Sequence, residues 1–253
     1  RFVVGNSQNM LFSHGGIPIY DKPLVGFASA QDPLFMEFKK PEIIGEKHRL
    51  PTEWMSDAKT VIAFFLPLSK EIRKSNYSLG MPSKEITSKQ VAIFCAAVQQ
   101  HLVEIVEELG GHGMAPSHEK LWNWRDLVSN WSERHAAYVA GLGTFGLNKT
   151  LITSKGGAGR FGAVITSLEI TPTPRLYEHK NQYCPFIMNG SCGHCIKRCP
   201  VGAITYRGKN NWICKGYLDL TNHSFAPWYG CAKCQMAVPC EASIPYLKAK
   251  TTE

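Results

Sequence analysis

Cys192-Gly-His-Cys195-Ile-Lys-Arg-Cys199-Pro200 is the stretch on which the reading of this chain turns. Its spacing matches the tail of the bacterial two-cluster ferredoxin pattern, in which the cysteine before the proline turns away to ligate the other cluster. Outward from it stand Cys184 on one side and Cys214, Cys231-Ala-Lys-Cys234 and Cys240 on the other, so all but one of the chain's 9 cysteines follow residue 183. Eight thiols are what two 4Fe-4S clusters consume. Two structural zinc sites would use as many, but zinc ribbons carry two separated Cys-x-x-Cys knuckles instead of this compact run. Disulfides are the third use of such cysteines, whereas thiols spaced as metal ligands fit a reducing cytoplasm, and oxygen-sensitive clusters an anaerobic or protected setting. Ferredoxin logic crosses the pairing, with Cys184, Cys192, Cys195 and Cys240 around one cluster and Cys199, Cys214, Cys231 and Cys234 around the other. Cys184 departs from the pattern, which puts that ligand three residues before Cys192, where Asn189 stands. The remaining thiol, Cys95, sits in an apolar helical stretch and reads as a small buried hydrophobe.

At 253 residues the chain can bury a sizeable core and form two domains. It has no run of eighteen apolar residues, and Arg1 opens no charged-then-apolar segment, so neither a spanning helix nor a signal peptide is expected. The formal charge of +8 invites a nucleic-acid reading. Two thiolate-ligated clusters at roughly −2 each bring the loaded protein nearer about +4. No arginine-rich run or aromatic-basic interleaving marks a groove for RNA or DNA, and nucleic acid is not an expected partner.

The first 170 or so residues read as mixed α/β. Thr60-Val-Ile-Ala-Phe-Phe-Leu66 is a continuous apolar run suited to a buried strand, and 23–28 and 161–168 are further strand candidates. Between them, Val91, Phe94, Val98, Leu102, Ile105 and Leu109 recur at helical spacing and Gly110-Gly111 supplies the stop, predicting a helix over 84–109. A second helix is predicted over 132–140, with Ser132 as its N-cap. Thr171-Pro-Thr-Pro174 is a stiff connector, which puts a boundary near residue 175 and leaves 176–253 too short for much core without clusters as staples.

Trp122, Trp124 and Trp131 crowd the approach to the second helix, beside Asp126, Glu133 and His135. They read either as a buried aromatic cluster with a charged edge or as one wall of a pocket for a large planar ligand. Gly141-Leu-Gly143-Thr-Phe-Gly146 is a literal G-x-G-x-x-G, but a helix precedes it and loop and strand follow, the reverse of a dinucleotide site. With Gly157 and Gly159 these glycines instead make two loops where backbone can lie close to a ligand.

Trp131-Ser-Glu-Arg-His-Ala-Ala-Tyr-Val-Ala-Gly-Leu-Gly-Thr-Phe-Gly-Leu147, Leu151-Ile-Thr, Cys199-Pro-Val-Gly-Ala-Ile-Thr205 and Tyr229-Gly-Cys-Ala-Lys-Cys-Gln235 together resemble the epoxyqueuosine reductase family, which is related to the catalytic core of reductive dehalogenases. The resemblance implies an α+β protein in which a nitroreductase-like, cobalamin-binding domain (1–175) is followed by a ferredoxin-like domain with two 4Fe-4S clusters (176–253). Electrons would pass from an external donor such as a ferredoxin or flavodoxin to cobalamin, with Trp131, Gly141, Gly143, Gly146, Gly157 and Gly159 as cofactor-binding residues. Asp126, His135 and Tyr138 are the candidate proton donors; in the ungapped register the family's acidic position falls on Leu127. The Cys234 to Cys240 gap is longer than the family's usual one, and the helical-repeat extension that grips tRNA is not seen after the last cysteines. The expected function is therefore an iron-sulfur reductase of a small substrate, the alternative a cobalamin-free electron carrier docking to a partner enzyme, and epoxyqueuosine reduction in tRNA comes third.

Overall fold

A computed structural model describes residues 2–12, 15–125 and 127–245. Four strands, β1 (Leu24–Ser29), β2 (Thr60–Pro67), β3 (Gly113–Met114) and β4 (Gly159–Thr166), form one antiparallel sheet in the order β1-β2-β4-β3. Every residue of β2 is buried, and its register places Ala63 between Gly26 and Ala163. An apolar run without alternation needs cover on both faces of the sheet, and both faces are covered. On one side Phe64 and Leu66 pack with Val91, Phe94 and Val98 of a long helix, α1 (Lys89–Glu108). On the other, Val61, Ala63, Ala163 and Ile165 pack with Ala136, Ala137 and Val139 of a short helix, α2 (Glu133–Val139).

Small residues set the spacing on that second face. A Cβ at Gly26 would stand 2.3 Å from the Ala140 carbonyl oxygen, so only glycine lets the end of α2 touch β1.

The predicted helices shorten for identifiable reasons. α1 begins at Lys89 because Ser88 caps it, its Oγ accepting from Val91 N–H, while the Thr87 hydroxyl turns back to the carbonyls of Ser83 and Lys84. Ser132 stands at the N-cap of α2 but its hydroxyl meets His135 Nδ1 at 2.7 Å and caps nothing. The glycine-rich run after α2 forms a hairpin, Gly143–Phe145 against Leu151–Thr153, with no helix N-terminus to receive a pyrophosphate.

Beyond residue 175 regular structure is sparse. Its elements include helices α3 (Pro185–Asn189), α4 (His194–Arg198) and α5 (Asn211–Phe225) and a two-residue hairpin, Ile204–Thr205 with Gly208–Lys209; Cys195 lies in α4 and Cys214 in α5. Hydrogen bonds sew this part to the sheet. Asn76 Nδ2 donates to Cys231 O (2.8 Å), Asn148 Nδ2 to Cys234 O (2.7 Å) and Gly157 N–H to Cys240 O (2.8 Å). Lys233, between two cysteines, is fully buried and donates to the carbonyls of Asn76 and Ser78. Arg198 reaches the carbonyls of Asn76 and Tyr77 from the end of α4. No helix among the described residues is long and apolar enough to cross a membrane.

Candidate redox site

All nine cysteines are free thiols. They fall into two neighbourhoods. Cys195 senses the charges of Cys184 and Cys192, and Cys240 those of Cys195, Cys184 and Cys192. These four line one small hollow, closed by Ile152, Phe186 and Val238. In the second neighbourhood Cys231 senses Cys214 and Cys199, and Cys234 senses Cys231 and Cys214. One turn of helix makes the division, since Cys195 lies within α4 and Cys199 just past its end. Cys234 is also within range of Cys195, so the two quartets adjoin.

Burial pushes the thiol of Cys195 up to about 11 and those of Cys234 and Cys240 up to about 12. Such thiols become thiolates when a cationic core compensates the charge. Among the described residues no three His, Cys, Asp or Glu side chains converge closely enough for a single ion. A zinc ion needs four sulfurs about 2.3 Å from one centre. Two adjacent, thiol-only quartets offer the soft ligand set that iron-sulfur cores take.

Next to the second quartet stands Arg134, with Cys214 and Cys234 as its electrostatic neighbours; its guanidinium donates to Lys149 O at 2.6 Å. Glu133 beside it is partly exposed yet desolvated. Its carboxylate takes hydrogen bonds from Gln99 Nε2 (3.2 Å) and Trp131 Nε1 (3.3 Å), and burial still raises it to about 7. Burial pushes Cys95 up to about 12, with the charge of Glu133 adding to it, and its Sγ lies 3.5 Å from Phe161 O. This end of α2 thus offers an arginine beside the second quartet and a carboxyl poised near neutrality, groups that suit redox chemistry needing both electrons and protons.

Of the glycines and tryptophan singled out in the sequence, Trp131 adjoins Glu133, to which its Nε1 donates at 3.3 Å. Trp131 is 2% exposed and stacked on Phe35 in the core. The Cβ side of Gly141 faces the Thr173 and Pro174 carbonyls, that of Gly143 faces Ile152, that of Gly146 Asn148, that of Gly157 Thr150 and that of Gly159 Leu66. In each case the chain's own atoms take the space. His135 is wedged between Phe38 and Phe145, and burial lowers it to about 3, which keeps it neutral. Tyr138 stacks on Tyr177, and burial raises its hydroxyl. Asp126 lies outside the described residues. Glu133, absent from the sequence candidates, was visible only as one charge among several near the tryptophans; its burial comes from α1 and β4, which lie far from it along the chain.

Glu133 supplies a stability prediction. Its folded value, about 7, lies above the ordinary 4.5, so the native state holds the extra proton between those limits. Stability is full below pH 4.5 and falls as pH rises through 7, by on the order of 3 kcal/mol. Glu133→Gln is expected to flatten that slope, checked by anaerobic chemical unfolding at pH 5.5 and 8; an unchanged slope would contradict the assignment.

No family model matches the chain. Among curated proteins it is similar to the epoxyqueuosine reductases of Listeria monocytogenes (34% identity over 43% of this chain and 29% of that protein) and Francisella cf. novicida (30% over 60% and 41%). The chain therefore spans less than half of either relative. Its fold is shared with an epoxyqueuosine reductase solved with an epoxyqueuosine-modified tRNA-Tyr stem loop (TM-score 0.53, 19% identity, 88% of this chain and 62% of that one). It is shared too with a reductive dehalogenase described as B12-dependent (TM-score 0.53, 14% identity, 77% and 27%). These findings correct the order of the sequence expectations. The relatives are reductases of a modified nucleoside, and one is seen with RNA, which overturns the small-substrate reading, the carrier alternative and the expectation that nucleic acid is no partner.

Proposed function

We propose, for a chain that belongs to an epoxyqueuosine reductase-like oxidoreductase family, that it reduces epoxyqueuosine in tRNA. The observation that carries the reading is the placement of a thiol quartet beside Arg134, one residue along α2 from the near-neutral carboxyl of Glu133, in a fold shared with the tRNA-bound reductase. On this reading residues 176–253 hold two 4Fe-4S clusters through the two cysteine quartets, and the part up to residue 175 takes cobalamin beside α2. When bound, these groups supply the electrons, received from an external donor such as a ferredoxin or flavodoxin.

Reduction of an epoxide consumes two electrons and two protons, so the polypeptide must also deliver protons to a dry site. Glu133 holds a proton near neutral pH, where a carboxyl is most useful as an acid. Gln99 and Trp131 fix its orientation from behind. Arg134 presents a fixed positive charge towards Cys214 and Cys234, which favours added negative charge there. His135, neutral and bonded to Ser132, serves as packing that holds α2 in place.

The test is anaerobic reconstitution, with about eight irons per chain expected for two clusters. Incubation of the loaded protein with cobalamin, a chemical reductant and an epoxyqueuosine-containing stem loop is expected to yield the reduced nucleoside by mass spectrometry. Glu133→Gln is expected to slow turnover by roughly 10²-fold or more, the usual range for a lost general acid. Full iron and cobalamin loading with no change in the nucleoside would overturn the substrate assignment.

A further inference from the structure

One cavity plays no part in that chemistry. It has a volume of about 690 Å³ and lies between residues 45–53 and the hairpin of Trp124–Arg125 and Val128–Ser129. The two walls are tied by the Arg49 N–H, which donates to Asn130 O at 2.9 Å. Lys39, Lys47, Arg49 and Arg125 line it, against the carboxylates of Glu46 and Glu53. Glu53 is already engaged, accepting from Lys39 Nζ at 2.7 Å and from the Leu50 N–H at 2.6 Å. Arg49 also leans on this side, its guanidinium donating to Glu53 O at 3.2 Å and lying over Trp54, so among the described carboxylates lining the cavity Glu46 is the one left to face Lys47 and Arg125.

His48 forms the floor. It is 1% exposed and held between Trp131, stacked at 5.9 Å, and the edge of Phe38 at 5.7 Å. Neither ring nitrogen has a hydrogen-bond partner, although buried polar atoms in native proteins nearly always find one. Burial and the charge of Lys39 lower this imidazole to about 4, so at neutral pH it keeps one N–H to donate and one nitrogen to accept. A rim of three cations above a floor with unspent hydrogen-bonding capacity is a site for an anion, and the volume suits a nucleotide.

We infer that this cavity binds a phosphate group of a nucleotide ligand, with Lys47, Arg49 and Arg125 holding the oxygens and His48 completing the floor. Resting on the tRNA reading, the phosphate is one of the RNA backbone, contacted away from the reacting nucleoside.

The experiment uses the cluster-loaded full chain and a Lys47→Gln/Arg125→Gln double variant, both side chains being exposed and outside the core. Binding of a fluorescent tRNA anticodon stem loop is measured across salt concentrations, and the His48 ring nitrogens are followed by NMR on addition of AMP or inorganic phosphate. The variant is expected to bind RNA roughly ten-fold more weakly whatever the loop sequence, with the slope of log affinity against log salt reduced by about one to two. If RNA binding is untouched but AMP or phosphate shifts His48 in the wild type and not in the variant, the site takes a free phosphate ester. Unchanged RNA affinity and slope together with unmoved His48 resonances overturn the proposal. A wild type that binds no RNA removes the tRNA reading instead, and the phosphate arm still decides the site.

Discussion

Cys240→Ala is expected to remove one cluster and leave the other, reducing iron from about eight atoms to about four per chain. Cys240 shares its hollow with Cys184, Cys192 and Cys195, and its partners in charge are those three. The second quartet draws on none of the four side chains that bound the first, so its absorbance should survive. The loss goes beyond redox function. The buried apolar residues around this hollow are few, Leu147, Ile152, Ile204 and Ile244 with Cys184, and on the proposed reading ligand bonds substitute for the core they would otherwise make. A large drop in melting temperature and ready proteolysis of the segment after residue 175 are therefore expected. Cys184→Ala should lose the same half of the iron, although its spacing departs from the ferredoxin pattern, whereas Cys95→Ala should keep all of it. Iron content and the visible spectrum check all three, and undiminished iron in the Cys240 or Cys184 variant would break the first quartet.

How much of this was legible beforehand depends on how local the cause is. The strands 60–66, 23–28 and 161–168 were readable because a buried strand writes itself as a continuous apolar run, and they form at Thr60–Pro67, Leu24–Ser29 and Gly159–Thr166. The start of the long helix was misplaced because the Thr87 hydroxyl competes with the helix for backbone carbonyls, a side-chain effect that periodicity ignores. The division of the thiols into neighbourhoods follows from one helical turn, so spacing suffices to suggest it. The glycines were legible only as places where backbone comes close to something. The fold adds that on the Cβ side the neighbours include Ile152, Leu66 and Pro174. The cationic cavity was invisible because Lys39, Lys47 and Arg125 stand in separate stretches and never form a run. An expectation against nucleic acid drawn from the lack of a basic run was therefore drawn from the wrong observable, since phosphate sites are assembled in space.

Glu241→Ala is expected to cost about 3 to 5 kcal/mol, the range for stripping one partner from a buried ion pair. Its carboxylate accepts from Arg73 Nε at 2.7 Å and from the Tyr77 hydroxyl at 2.8 Å, with the pair's side chains 12% and 10% exposed. The other oxygen accepts from the Ala237 N–H at 2.5 Å. Ala237 has φ 54°, a left-handed conformation that a non-glycine residue adopts only when held there. This is how the chain accommodates its long step from Cys234 to Cys240. The loop sinks Met236, fully buried, into the core beside Asn76, turns at Ala237 and is pinned by Glu241 to Arg73 of the helix Lys70–Ser75. Removing the carboxylate leaves Arg73 with Asp21 at 4.0 Å as its nearest acidic partner and leaves the turn without its acceptor. A fall of roughly 10 °C in melting temperature follows for a chain of this length. Glu241→Gln, which keeps an acceptor and loses the charge, should fall about half as far. Because Cys240 is the adjacent residue, the same variants should also lose iron from the first quartet faster on exposure to a chelator. Melting curves within 2 °C of wild type for both would show that the loop holds its shape without Glu241.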